Sequence, residues 1–347
     1  MPEKNALEAL YSEILALRDD SGLPDENEIL SLSDSATSTL ELENPKYRPW
    51  SSENKAGGLL DFSNQNVDVI IVPDLHARPD FLINLLSADF TGKRILESLA
   101  EESVTVICVG DGVHTETAGK CYDRWKAAYK KWMDGSIVSA AMKGEIHDCF
   151  ATMLAVMKLK SAFPKSFHFL KGNHENVTNE NGNGNWAFRK FAREGEMVRD
   201  FILDYYSDAT LHVLDSFEKS LPVAAIFPTF GVSHAEPRAA FSREDVINYH
   251  SNPDLILGLT WTDNGEAAEG SARSFFHNLN PKGDVENALW FGGHRPVSEN
   301  YRLWQDGAYI QIHNPNEMNV AHIHADGSFS LEKDIVSVLP VKKSNRR

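Results

Sequence analysis

The sequence predicts an α/β fold with a single ligand site at the ends of several strands, and three observations carry that prediction. Five short runs rich in β-branched or aromatic residues each lead through a turn with Gly or Pro nearby to an Asp, Asn or His. From residue 67 onward, such runs alternate with stretches of helical periodicity. The chain has 347 residues, 42% of them apolar, which is enough to bury a large core. Because the five blocks span residues 74 to 294, one large domain over 67–340 is favoured over two smaller ones. It is preceded by an acidic extension over 1–66 and followed by a basic tail at 341–347.

The chain opens on an amphipathic helix, since Leu7, Leu10, Tyr11, Ile14 and Leu15 recur at helical spacing before Gly22 and Pro24 stop it. Residues 19–66 are rich in Asp, Glu, Ser, Asn and Pro and read as a partly ordered, solvated extension. The first strand signal, Val67–Val72, runs through Pro73 into Asp74-Leu75-His76. Pro79 then opens a helix carrying Phe81, Leu82, Leu85 and Leu86, and 95–101 forms another. Val104–Val109 runs through Gly110 into Asp111. A helical insertion follows, with Trp125, Tyr129 and Trp132, and then Ile146, Phe150, Leu154 and Met157, at core-facing spacing. Phe167–Leu170 leads to Lys171-Gly172-Asn173-His174-Glu175. The polar run 179–185 is a loop beside the candidate site, placed to act as a lid or to touch substrate. A helical region is expected to about residue 220, then strands and turns to the end. Among these, Phe230–Ser233 precedes His234 and Leu289–Gly293 precedes His294. His322-Ile323-His324 lies in a terminal hairpin beside Asp326-Gly327 and reads as strand surface.

Charge and cysteine content narrow the function. With 34 basic against 50 acidic residues the net charge is −16, which opposes phosphate-backbone or membrane-surface binding. No nucleic-acid or membrane partner is expected. Cys108, Cys121 and Cys149 are too few and too scattered for a disulfide framework, so a cytoplasmic location is expected. There is no secretory signal pattern and no apolar run of membrane-spanning length.

The chemistry of the blocks is that of a metal site. Asp74 and His76 are two apart, so on an extended strand end they face one side and can grip one ion. The two oxygens of Asp111 can bridge two cations. Asn173 offers a carbonyl oxygen, and His234 and His294 offer imidazole nitrogens. This mixed set suits Mn, Fe or Zn better than Ca or Mg. Two such ions about 3.5–4 Å apart clamp a phosphoryl group and lower the pKa of a bridging water. His174, beside a ligand but free itself, is placed to protonate the departing oxygen.

Asp74-x-His76, Gly110-Asp111, Gly172-Asn173-His174-Glu175, His234 and Gly293-His294 together resemble the five blocks of the calcineurin-like metallophosphoesterase superfamily. The likeness is to its branch of phosphoprotein phosphatases and diadenosine tetraphosphate hydrolases. Ser220–Ile226 ahead of His234 resembles that branch's Leu-Pro-Leu-Ala segment, and Leu259–Asp263 resembles its Leu-Trp-Ser-Asp segment. The resemblance covers roughly 67–320 and implies a central β-sandwich flanked by helices. It also implies a dinuclear centre, with one ion on Asp74, His76 and bridging Asp111 and the other on Asp111, Asn173, His234 and His294. Arg295-Pro296 after His294 departs from the His-x-His block of other families. Where the branch has Gly-Asp-x-Val-Asp-Arg-Gly, this chain has Gly110-Asp111-Gly112-Val113-His114-Thr115. His114 thus replaces the carboxylate that orients the catalytic histidine, and Thr115 replaces a phosphate-binding arginine. Arg273 and Arg295 are the candidates to supply the missing cation, and Glu175 is a support for the ligand loops.

The function expected is a hydrolase requiring two divalent ions (Mn, Fe or Zn), in which a metal-bridging hydroxide attacks phosphorus and His174 acts as general acid. The leading expectation is a serine/threonine-protein-phosphatase-like phosphomonoesterase acting on a phosphoprotein or small phosphomonoester. Hydrolysis of a nucleotide such as a dinucleoside polyphosphate, or of a phosphodiester, stands beside it. An interaction protein that binds metal without turnover is the alternative of another class.

Overall fold

A computed structural model describes residues 4–20, 22–116 and 120–339. The chain begins with α1 (Lys4–Asp19) and α2 (Glu26–Glu41), followed by β1 (Leu59–Asp61) and β2 (Asp68–Val72). After α3 (Pro79–Ser87) and α4 (Ile95–Ala100) come β3 (Val104–Cys108), the long helical insertion α5 (Lys120–Met133) and α6 (Ala140–Ala162), and β4 (Phe167–Phe169). Then follow α7 (Glu194–Tyr205), α8 (Asp208–Lys219), β5 (Ala224–Ile226) and β6 (Phe230–Ser233). Three short helices, α9 (Arg243–Ile247), α10 (Pro253–Thr260) and α11 (Ser271–Leu279), precede β7 (Leu289–Gly292). The chain finishes with β8 (Arg302–Trp304), β9 (Tyr309–Gln311), β10 (Asn319–Ile323) and β11 (Ile335–Ser337).

The strands form two sheets, ordered β1-β5-β6-β7-β9-β8 and β11-β10-β2-β3-β4. The twofold alternation of a strand explains why they stack. Val69 and Ile71 of β2 enter a core shared with Phe230, Val232, Phe291 and Ile310 of the other sheet, while Ile70 and Val72 face a helical layer. That layer, α1 to α8, covers the outside of the five-stranded sheet, and α9 to α11 cover the outside of the six-stranded one. The result is the expected β-sandwich flanked by helices. β2, β3 and β4 run parallel to one another, and so do β6, β7 and β9. Parallel pairing brings the C-terminal ends of all six strands to one edge, where a site can assemble from loops distant in sequence.

Two stretches differ from the sequence reading. Residues 4–66, expected as a partly ordered extension with one helix, carry two helices and a strand. Ile14, Ile29, Ala36 and Leu40 are buried in the main core, and β1 pairs with β5. The charges there are not all solvated: Arg48 and Glu43 are fully buried against each other at 2.7 Å, with Lys160 2.5 Å from the same carboxylate. The second difference is α9 to α11, where strands and turns were expected. Their start signals are present: a capping box at Ser242 and Asp245, and Asn252 capping a helix with Pro253 in its first turn. Their shortness hides the periodicity. Pro79 opens α3 as expected, and β10 and β11 form the terminal antiparallel pair. The basic tail at 341–347 lies outside the described residues. Among the described residues, no helix is long and apolar enough to cross a membrane.

Candidate metal centre

Each of the five sequence blocks ends at the shared edge. Asp74 and His76 follow β2, Asp111 follows β3, Asn173 and His174 follow β4, His234 follows β6 and His294 follows β7. The loops are tight: His76, Asp111, His114 and His294 all adopt left-handed backbone conformations, at φ of 44°, 54°, 63° and 61°. Such conformations cost of order 1–3 kcal/mol each for non-glycine residues and cluster at functional sites. His76 is therefore not on an extended strand end, as its spacing from Asp74 suggested. The chain turns after Val72 and brings the two together through the loop, with His76 Nε2 3.6 Å from Asp74 Oδ2. Glycine is required where loops touch. A Cβ on Gly293 would overlap the Asp74 carboxylate, and one on Gly172 would overlap Asp111.

The polar atoms converge on one point. Oδ2 of Asp111 lies 3.7, 3.6 and 3.5 Å from Nε2 of His76, His174 and His234. Asn173 Oδ1 is 2.9 Å from His234 Nε2 and 3.0 Å from His294 Nδ1, and those two nitrogens are 3.3 Å apart. Backbone carbonyls set the tautomers, since Nδ1 of His76 donates to His114 O at 3.0 Å and Nδ1 of His234 donates to Val109 O at 3.1 Å. The Nε2 atoms of His76 and His234 are therefore turned toward carboxylate and amide oxygens. Carboxylate and amide oxygens gathered with imidazole nitrogens at these separations form a donor set that fits a divalent metal. Two of the groupings able to hold an ion share Asp111: one with His76 and His174, and one with Asp74 and His234.

Charge follows the same pattern. Burial opposes ionisation of Asp74, but His313, His234 and His76 together hold it well below the usual carboxylate range. Burial and the charge of Asp74 push Asp111 well above it, a direction that a bound cation reverses. Burial lowers His234 to about 4 and His294 well below its ordinary value, so both are neutral and available as ligands.

The remaining sequence candidates fall into place differently. Glu175 is buried and accepts backbone N–H bonds from Asp111 (2.9 Å), Gly112 (2.8 Å) and Gly172 (2.7 Å), which pins the two central ligand loops to each other. His174 turns Nε2 toward Asp111 and donates Nδ1–H to Val113 O at 3.1 Å, so a backbone carbonyl orients the ring. His114 Nδ1 is 3.2 Å from His174 Nδ1, and its ring stacks on Phe188. Burial, together with His76 and His114, holds His174 well below its ordinary pKa. Thr115 is an anchor: its hydroxyl and amide bond Glu145 at 2.6 and 2.8 Å, and Arg124 reaches the same pair. Arg295 forms a two-point ion pair with Asp263 at 2.8 Å and is half exposed. Arg273 lies in α11, its Nε buried without a partner among the described residues. His322 is paired with Asp68 at 2.8 Å and His324 with Asp334 at 3.2 Å.

Three residues that the sequence reading passed over stand at the centre. Glu116 Oε2 is 2.9 Å from His76 Nε2 and 2.5 Å from His313 Nε2, and the Lys190 amine meets the other Glu116 oxygen. The run Tyr309–Ile312 before His313, with Pro315 nearby, has the same strand-then-ligand form as the five blocks. That form was the signal available for His313. The segment just after the polar loop 179–185 packs onto the site. Phe188 packs on His174 with ring centroids 3.7 Å apart, and Trp186 meets Trp261, which in turn faces His294.

No protein-family model matches the chain, and no curated protein matches it in sequence. Among solved structures it is similar to a serine/threonine protein phosphatase from Saccharomyces cerevisiae, with 13% identity and a TM-score of 0.58 over 94% of each chain. A putative diadenosine tetraphosphatase aligns at 14% identity and a TM-score of 0.39, over 81% of this chain and 97% of that one. A cold-active protein-tyrosine phosphatase from a Shewanella species aligns at 11% identity and a TM-score of 0.41, over 80% and 82%.

Proposed function

We propose that this chain, whose fold is that of the calcineurin-like metallophosphoesterases, hydrolyses phosphate esters with two divalent cations (Mn, Fe or Zn) held at the strand ends. The observation that carries the reading is the convergence of the His76, His174 and His234 Nε2 atoms on Asp111 Oδ2, at 3.7, 3.6 and 3.5 Å. One ion would be held by Asp74, His76 and Asp111, and the other by Asp111, Asn173, His234 and His294. When bound, the ions supply Lewis-acid polarisation of the phosphoryl oxygens and activation of water.

The chain's own residues do the rest. His174 faces the shared carboxylate and is held there by Val113 O, so it is aimed at the reacting group as proton donor. A donor must be protonated, whereas burial and two neighbouring imidazoles keep this ring neutral. The negative charge of a phosphoester beside it acts in the opposite direction. Phe188 shields the ring from water. Lys190, on the segment that covers the site, is the cation positioned to meet a phosphoryl oxygen in place of the arginine that Thr115 replaces. Neither Arg295, occupied by Asp263, nor Arg273 has a described contact with the ligand cluster.

The leading substrate class is a phosphomonoester, borne by a protein or a small molecule. A second reading, cleavage of a phosphodiester or dinucleoside polyphosphate, is favoured by the scarcity of positive charge: the Lys190 amine is already engaged by Glu116. A singly charged diester asks less of such a site. The inward-facing Nε2 of His174 argues against a metal-binding protein without turnover. The buried free thiols of Cys108 and Cys149 fit a reducing compartment.

The test is hydrolysis of p-nitrophenyl phosphate and its bis ester by chelator-stripped protein, with Mn, Fe or Zn added back. Metal-dependent turnover supports the reading, and the ratio of the two substrates separates monoesterase from diesterase. Metal binding without turnover of either ester contradicts it.

A further inference from the structure

The sequence blocks give the two ions unequal protein shells, with four residues for one and three for the other, Asp74, His76 and Asp111. The structure places two further donors on the poorer side. His313 lies two residues beyond β9, at the same edge as the other ligands, and is fully buried. Its donor atom, with those of Asp74 and His76, forms a grouping in which all lie within 4.8 Å of one another. Its ring centroid is 5.2 Å from that of His76. Its Nδ1 is buried and has no hydrogen-bond partner among the described residues. Its Nε2 meets Glu116 Oε2 at 2.5 Å, and that oxygen also lies 2.9 Å from His76 Nε2. Glu116 Oε2 thus sits between the ring nitrogens of His76 and His313, on the side of the cluster where Asp74 lies. Arg78 holds the two loops in register: its guanidinium donates to Asp74 O at 2.7 Å and to the carbonyls of Asn314, Pro315 and Glu317 just beyond His313.

We infer that His313 is a ligand of the ion at Asp74, His76 and Asp111, and that the Glu116 carboxylate completes that shell, an inference that rests on the dinuclear reading above. The sixth strand end thus adds to the poorer of the two shells. Two imidazoles with carboxylates form a set for Zn, Mn or Fe rather than Mg or Ca.

The test is calorimetric titration of chelator-stripped protein with Zn and with Mn, comparing wild type with His313→Gln and Glu116→Gln. Two binding events are expected in the wild type. Each variant should keep one event unchanged and weaken the other at least about tenfold, the lower range for loss of a group around a metal. Two unchanged events in both variants would overturn the inference while leaving two ions in place, whereas fewer than two events in the wild type would overturn the dinuclear reading itself. Should the variants fail to fold, anomalous scattering from zinc-loaded wild-type crystals decides. An ion about 2.0–2.1 Å from a His313 nitrogen supports the assignment, and an ion beside Asp74 with His313 out of bonding range refutes it.

Discussion

Replacing Glu175 by Gln tests how the two central ligand loops are held. Oε2 of Glu175 accepts from Asp111 N and Gly172 N, and Oε1 accepts from Gly112 N. An amide has one oxygen, so whichever way it turns, at least one buried N–H faces an NH2 group and loses its partner. A stranded buried donor costs about 1–3 kcal/mol. With about 2.1 cal/mol/K of unfolding entropy per residue, 347 residues give about 0.7 kcal/mol/K, so the melting temperature should fall by about 1.5–4 °C. The same change loosens Asp111, which is held at a φ of 54°, and should weaken metal binding at least about tenfold. Thermal unfolding of the metal-free chain and calorimetric metal titration read the two effects. A variant with unchanged melting temperature and unchanged metal affinity would refute the proposed role of the carboxylate.

Three further outcomes follow from the same geometry. His174→Asn should bind metal as the wild type does and turn over p-nitrophenyl phosphate at least about a hundredfold more slowly; equal rates would remove the ring from the chemistry. Lys190→Ala should raise KM for the monoester more than for the diester, because a dianion loses more when the cation goes; equal shifts would deny it phosphate contact. The buried Glu43 carboxylate meets a burial penalty, but Lys160, His168 and Arg48 outweigh it and hold its pKa below the ordinary value. Its stabilising effect is therefore complete above the unfolded pKa of roughly 4.3 and is lost as pH falls toward the folded value. Denaturant unfolding of Glu43→Gln from pH 7 down to 3 should show a shallower acid loss than the wild type. Parallel curves would deny the linkage.

The candidate residues at the strand ends were legible because each block is local: strand, turn and donor lie within about ten residues, so Asp74, Asp111, Asn173, His234 and His294 could be proposed before any contact was known. What brings them together is parallel pairing within the sheets, and that long-range step is where the sequence became opaque. His313 carries the same local form, but its place at the centre depends on β9 lying beside β7. Glu116 depends on the left-handed turn at His114, and Lys190 on a segment that folds back over His174. The acidic stretch before residue 67 misled for a related reason. Composition does not reveal that Glu43 will find Arg48 and Lys160 inside the core rather than water. Arg295 was chosen for its nearness to His294 in sequence, yet the Asp263 carboxylate takes its guanidinium.

Electron paramagnetic resonance of the chelator-stripped chain reloaded with Mn(II) tests the central claim most directly. Two ions sharing the Asp111 carboxylate should give the spectrum of a spin-coupled pair, and Asp111→Asn should abolish the coupling. A spectrum of isolated Mn(II) in the wild type at saturation would contradict a dinuclear centre at these strand ends.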